Sequence, residues 1–335
     1  MNEAYWTNID FIVQQAAARG MLCVIFPAYE GYGQGNQGWY QRMAAQGPAK
    51  LQSYGAWLAN RYLAYDNILW VHGGDNDAAN PALTRAVVTG IDSVTTKWLH
   101  AWHGARDTMA TTFWANDFGW LKLNTIYDSE SNSFANAQGA YNASNHVPFA
   151  RIEDTYENPV NGVSDNVVRG LAWGSAVMGG TGAIYGDVAV WRFNGPSVVT
   201  NDTTSWVTAM NRPVGSSMQY LRQLFESKAW TKLVPDSTTR TFLTSGWGSD
   251  GNWRFAALAN DGSFAIAYAQ GASSPSMTFA MNKLAGPNVL VRWYDVTNGT
   301  FVTDGTYTAS GTRSFSRNAA NSQGDSDWAL LFESM

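Results

Sequence analysis

The sequence predicts an α/β fold: a parallel (β/α) barrel of the eight-stranded TIM type, shortened to about six βα units at its front, followed by a small antiparallel β-sandwich. Three observations carry this. Up to about residue 195, short apolar runs alternate with helical periodicity, the pattern of parallel strands joined by helices. Polar groups end the apolar runs, as they do at the C-terminal mouth of such a barrel. Beyond about residue 240 the pattern becomes short alternating segments split by Asn-Gly and Asp-Gly steps, which are hairpin signals.

In chain order, Ile9, Ile12, Val13, Ala16 and Ala17 share one face of a helix that stops at Gly20. The run 21–29 follows as a buried strand, then a Gly-rich loop, then a helix through Leu51, Tyr54, Trp57, Leu58 and Tyr62. Residues 68–75 make the next strand, and 84–98 the next helix. Further strands are expected over 99–103, 121–127 and 148–154, a helix over 165–178, a strand over 183–191 and a last helix over 206–225. That gives six βα units, and the deficit against eight lies at the front, where the chain opens on a helix. The change of character places a barrel domain over 1–238 and a sandwich over 239–335.

Composition narrows the partners. The formal charge is -5, with 14% charged residues and no Lys/Arg run, which leaves no electrostatic footprint for nucleic acid or an anionic membrane. No stretch of about 18 apolar residues occurs, and the N-terminus lacks the basic region and apolar core of a signal peptide. Cys23, the single cysteine, sits in an apolar run and forms no intrachain disulfide. Aromatics make up 14% of the chain, including 16 Trp, and flat rings with a polar edge suit sugar faces as well as interiors.

The polar groups at strand ends are Glu30, Asp75, His103, Tyr127, Glu153 and Tyr185. In HGGDND, Gly73 and Gly74 remove side chains where backbone and ligand crowd, and Asp75 follows at the strand end. The alternative is that Asp75 or Asp77 caps the following helix. Glu153 ends the β run of ARIEDTYE, with Arg151, Tyr156 and Asn158 near enough in sequence to hydrogen-bond it. The alternative is a rim salt bridge, with Glu157 as the functional acid. Two carboxylates on one aromatic-rich rim meet the minimum requirement for glycosidic cleavage, in which one protonates the leaving oxygen and the other attacks or activates water.

Other chemistries fit less well. His100 and His103, three apart on a strand, point to opposite faces, and His72 points away from Asp75 by the same parity. No G-x-S-x-G surrounds a serine. Gly33–Gly38 matches G-x-G-x-x-G but lacks the acidic partner about 20 residues on, so it reads as a mobile substrate-side loop. Asp325 and Asp327 form an Asp-rich turn without a 12-residue calcium loop, and neither metal nor cofactor is expected.

The strings YDNILWVHGGDND, PFARIEDTYE, GGTGAIYGDVAVW, VRWYDVTNG and DWALLF resemble the apiosidase-like glycoside hydrolase family over nearly the whole chain. The resemblance implies a (β/α)8 barrel joined to a C-terminal β-sandwich of collagen-binding type. It implies Asp75 as general acid/base, Glu153 as nucleophile and retention of configuration, on a plant cell-wall, pectic-type oligosaccharide. Tyr185 and Trp191 fall in the family's last barrel segment and are implied as a sugar-binding wall, with core packing the equal alternative for Trp191. Asn124 and Tyr127 fall on a strand where Asp128-Ser129 replaces the usual polar pair, so specificity is expected to differ. A secreted or periplasmic bacterial setting is also implied. The family carries two further βα units at its front, so a homo-oligomer that covers the open barrel edge is expected. A catalytically silent carbohydrate-binding protein on a degenerate barrel is the alternative.

Overall fold

The computed structural model describes residues 2–129, 131–144, 147–195, 201–248, 252–271 and 276–335. The chain packs as two compact units, Met1–Tyr127 and Asp128–Met335.

The first unit alternates α1 (Glu3–Ala17), β1 (Cys23–Ile25), α2 (Tyr40–Tyr62), β2 (Ile68–Gly73), α3 (Pro81–Asp92), β3 (Leu99–His103), α4 (Ala110–Phe113) and β4 (Asn124–Tyr127). β1, β2 and β3 form a parallel sheet in that order, with Cys23 opposite Ile68 and Leu69 opposite Leu99. All six β2 residues are buried, which explains the unbroken apolar run that encodes a central parallel strand. Leu51, Leu58, Tyr62, Ile68, Trp70, Val87, Ile91 and Trp98 form one core against the helices. Trp102, Trp114, Trp120 and Leu121 form a second.

Two expectations are corrected here. α3 ends at Asp92 instead of running to Trp98, because the Ser93 hydroxyl turns back onto the Gly90 carbonyl (2.7 Å) and the β-branched Val94-Thr95-Thr96 run that follows is a poor helix former. The expected apolar face of α1 is only partly buried: Val13 is in the core and Ile9 packs against it, while Ile12 is 56% exposed.

The second unit begins with α5 (Ser133–Asn142), β5 (Phe149–Glu153), α6 (Asp165–Val177), α7 (Val188–Arg192), α8 (Trp206–Ala209) and α9 (Pro213–Glu226). The expected strand over 183–191 is reduced to two parallel bridges, Arg151 with Ala183 and Glu157 with Asp187, and then turns helical. Asp187 causes the change: its Oδ1 accepts from the N–H groups of Ala189 and Val190 at 2.8 and 2.9 Å. An N-cap contributes about 1 kcal/mol, enough to outweigh the modest β-propensity of Val-Ala-Val-Trp. Similarly, the expected helix over 206–225 divides into α8 and α9 because Pro213 lacks an N–H and starts a new helix.

The remainder is an antiparallel sandwich. β6 (Leu233–Pro235), β8 (Arg254–Ala259), β9 (Phe264–Ala269), β11 (Asn288–Tyr294), β12 (Phe301–Thr308) and β14 (Trp328–Ser334) make a sheet of order β12-β11-β14-β9-β8-β6. β7 (Leu243–Ser245), β10 (Met277–Ala280) and β13 (Thr312–Phe315) make the other, of order β13-β10-β7. Phe279, Trp293, Phe315, Leu330 and Phe332 fill the space enclosed. The larger sheet also receives α6 on its outer face: Trp173 stacks on Tyr268 at 5.5 Å, so every β9 residue is buried.

Asp325 and Asp327, the Asp-rich turn, converge on Arg169 of α6, whose fully buried guanidinium also meets Gln323 at 3.1 Å. Asp327 receives the guanidinium in bidentate fashion, both contacts at 2.9 Å. No helix among the described residues is long and apolar enough to cross a membrane.

Candidate active site

In the first unit the chemistry gathers where β2 ends. Gly73, Gly74 and Asp75 take φ of 85°, 132° and 57°, three consecutive positive values. A side chain at Gly73 would place Cβ 2.5 Å from the His103 carbonyl oxygen, and one at Gly74 would place it 2.3 Å from the Tyr29 ring. The two glycines therefore let the chain squeeze between β3 and Tyr29. Asp75 is not glycine, and its left-handed conformation is a local cost of a kind found at functional sites. The surroundings enforce it: the Gly74 N–H donates to the His103 carbonyl (2.8 Å) and the Asp75 N–H to His103 Nδ1 (3.0 Å). The Tyr29 hydroxyl donates a short hydrogen bond to the Asp75 carboxylate. Helix capping is not its role, since Asn80 caps α3.

Aromatic rings cluster around the two residues that hold Asp75, with Phe26 6.3 Å from Tyr29. His103 lies 5.9 Å from Phe26 and 4.8 Å from Tyr127, whose ring in turn sits under Arg106. Glu30 lies deeper, 2% exposed, with its carboxylate accepting the Thr84 hydroxyl at 2.7 Å; burial pushes its pKa up. Asn124 is buried too, its Oδ1 accepting from the Thr111 N–H at 3.3 Å. On the other face of the sheet His72 and His100 meet at 2.9 Å, and His100 reaches Asp92 at 3.1 Å. The parity argument thus separates His103 from this buried pair.

In the second unit, Glu153 stands half-buried at the C-terminal end of β5 and accepts the Tyr156 hydroxyl at 2.7 Å. Its neighbours on the strand are spoken for: Arg151 pairs with Asp154 and also reaches the Ser133 carbonyl. Glu157 is committed elsewhere. It accepts the Tyr185 hydroxyl and, at the start of α9, the N–H groups of Val214 (3.3 Å) and Gly215 (3.2 Å). Burial raises its pKa against those donors. A carboxylate capping a helix and holding a tyrosine has little left to offer a substrate. Tyr185 therefore points its hydroxyl at Glu157, and Trp191, 55% exposed, lies within α7 rather than on a strand. Tyr185 also walls an apolar cavity of about 370 Å³ beside Ala172, Met218 and Phe225, a space whose lining includes neither Glu153 nor Glu157.

Sequence reasoning missed Tyr29, the donor to Asp75. Its position just before Glu30, at the end of an apolar run, was the available signal. The role of His103 as a backbone anchor also needed the structure, because it depends on pairing between β2 and β3.

Comparison with known proteins identifies the family and the fold. A family model described as "Apiosidase-like, catalytic domain" matches residues 1–232, and one described as "Putative collagen-binding domain of a collagenase" matches residues 242–333. A solved glycoside hydrolase is similar at 21% identity, covering 98% of this chain and 77% of that one, with a TM-score of 0.84. A glycoside hydrolase family 5 structure from Bacteroides vulgatus ATCC 8482 is similar at 21% identity, covering 98% and 74%, with a TM-score of 0.84. At such identity these structures show a shared fold. No curated protein matches. Because the catalytic-domain model spans more than half of the residues, the chain belongs to the apiosidase-like family of glycoside hydrolases, and it is a glycosidase.

Proposed function

We propose that this glycosidase retains anomeric configuration and cleaves a pectic-type plant oligosaccharide, with Asp75 as general acid/base and Glu153 as nucleophile. The parallel strands and helices of residues 1–238 are then read as parts of a (β/α)8-type barrel, with the sandwich of 239–335 appended. The observation that carries the reading is Asp75: a carboxylate at the end of a central parallel strand, held at positive φ, anchored through its N–H by His103 and aimed by Tyr29.

In the first step Asp75 delivers a proton to the departing glycosidic oxygen while Glu153 attacks the anomeric carbon, so that the C–O bond breaks as the glycosyl ester forms. In the second step Asp75 takes a proton from water, which displaces Glu153 and restores both groups. Tyr156 steadies the attacking carboxylate through its 2.7 Å hydrogen bond. Such a mechanism requires the two carboxyl groups about 5–5.5 Å apart, against about 6.5–9.5 Å for inversion.

The test uses two variants and a pair of leaving groups. Glu153→Gln should lower kcat at least about 10⁴-fold on every substrate, since no nucleophile remains. Asp75→Asn should lose comparable activity on a natural linkage yet release a rapid burst of dinitrophenol from a dinitrophenyl glycoside, whose leaving group needs no proton, with steady turnover then limited by the unassisted attack of water on the glycosyl enzyme and raised by added azide. Proton NMR of the first-formed product reports configuration. Near-normal turnover by Glu153→Gln, or an inverted product, would overturn the proposal.

A further inference from the structure

The loop 31–39 carries features that the fold itself does not require. Its ends are pinched together, since a Cβ on Gly31 would lie 2.6 Å from the Gly38 nitrogen and one on Gly38 would lie 2.4 Å from the Gly31 nitrogen. The Trp39 N–H closes it onto the Tyr29 carbonyl at 2.8 Å, and Gln34 Nε2 and Asn76 Nδ2 staple it to the Asp77 and Gly31 carbonyls at 2.8 and 2.7 Å. These contacts give the loop, expected to lie on the substrate side, a defined path. It is one body with the segment bearing Asp75, because Tyr29 both receives the loop's closing hydrogen bond and donates to the Asp75 carboxylate.

From this frame the loop presents aromatic rings to solvent. Tyr32 is 70% exposed and Trp39 54% exposed, with the Arg42 guanidinium 5.5 Å from the Trp39 ring. Asn36 and Gln37 are exposed as well, and neither side-chain amide bonds another described residue. Residues 31–39 include no charged side chain. Large exposed rings on an uncharged, hydrogen-bonded loop lose apolar burial for no gain in packing, so a ligand is the natural occupant. Flat rings that cover C–H faces, beside amides that can both donate to and accept from hydroxyls, match a neutral polyhydroxy ligand.

We infer that loop 31–39 is a preformed saccharide subsite, in which Tyr32 and Trp39 stack on a sugar unit adjoining the one whose bond is cut and Asn36 and Gln37 hydrogen-bond its hydroxyls. The inference deepens the proposed function and rests on it in one respect, that the gripped unit belongs to the substrate served by Asp75. Because the loop and Asp75 share Tyr29, a unit seated on the loop is positioned relative to the acid without a closing motion.

Native gels cast with soluble pectin, arabinogalactan or xyloglucan test it on the full chain. At least one polysaccharide should retard the wild-type protein. Tyr32→Ala and Trp39→Ala should each weaken that association about tenfold, equivalent to about 1.4 kcal/mol, with unchanged thermal midpoints because both rings are exposed. Tyr32→Phe should bind as wild type. Retardation of Glu153→Gln equal to that of wild type supports the subsite whatever its hydrolytic activity, so failure of the nucleophile assignment is read separately. Unchanged retardation of both alanine variants, or none of the wild type in all three gels, overturns the inference.

Discussion

His72 shows how a single side chain ties stability to pH. Its ring is completely enclosed, stacked on His100 and edged by Trp120, and burial with the neighbouring His100 holds its pKa well below the ordinary value of about 6.5. The folded protein therefore keeps His72 neutral, while the unfolded chain takes up a proton below about pH 6.5. A base whose pKa falls on folding contributes stability that is full above its unfolded value and is lost as pH drops below it. Urea denaturation at pH 7.5, 6.0 and 5.0 should show stability falling by up to about 1.4 kcal/mol per pH unit below 6.5 from this residue. In His72→Phe that slope should flatten, and an equal slope in the variant would locate the titration elsewhere.

Helix α6 is held to the larger sheet by one buried charge system, and its energetics belong to the element as a whole. Arg169 has no exposure, and its partner Asp327 also receives the Tyr268 hydroxyl at 3.1 Å and Asn321 Nδ2 at 2.8 Å. Desolvating such charges is costly, so the pair adds little over an apolar contact, but removing one member strands the other. Arg169→Met should lose about 3–5 kcal/mol in urea denaturation, and Arg169→Met with Asp327→Leu should recover most of it. A loss under 1 kcal/mol in the single variant would show that α6 is held by Trp173 and its apolar neighbours alone. This system also marks a limit of the sequence. Asp325 and Asp327 read as an acidic turn, but their cation is 156 and 158 residues away in the chain, on a helix that periodicity locates without specifying which face meets the sheet. The parallel strands, by contrast, were legible because β2 is buried on both faces and so reads as an uninterrupted apolar run. Asp75 was legible because the positive-φ path before it demands Gly73 and Gly74. The segment 183–191 was misread as a strand because the capping of α7 by Asp187 acts over only three residues, below the reach of any periodicity.

At the scale of the molecule, the unburied apolar surface of the first unit has a consequence for assembly. α1 exposes Tyr5, Phe11 and Ile12 by 55%, 60% and 56%, and Met21 and Leu22 ahead of β1 by 57% and 60%. Among the described strands of the parallel sheet β1 pairs only with β2, so it is an edge strand, the kind of element through which chains associate. Single exposed apolar residues are ordinary, and the prediction is that these five, on α1 and in the turn ahead of β1, together drive association. The formal charge of -5 spread over 335 residues offers weak repulsion against it, and less in salt. Association driven by this surface should strengthen with ionic strength, whereas association through ion pairs would weaken. Size-exclusion chromatography with light scattering, from about 1 to 100 μM protein at low and high salt, should show the average mass rising with concentration and more steeply in high salt. Phe11→Gln with Leu22→Gln, both at exposed positions, should return the protein to a single monomeric peak without lowering its thermal midpoint. A wild-type mass that stays monomeric across the whole range would show that this surface is compatible with a solitary chain.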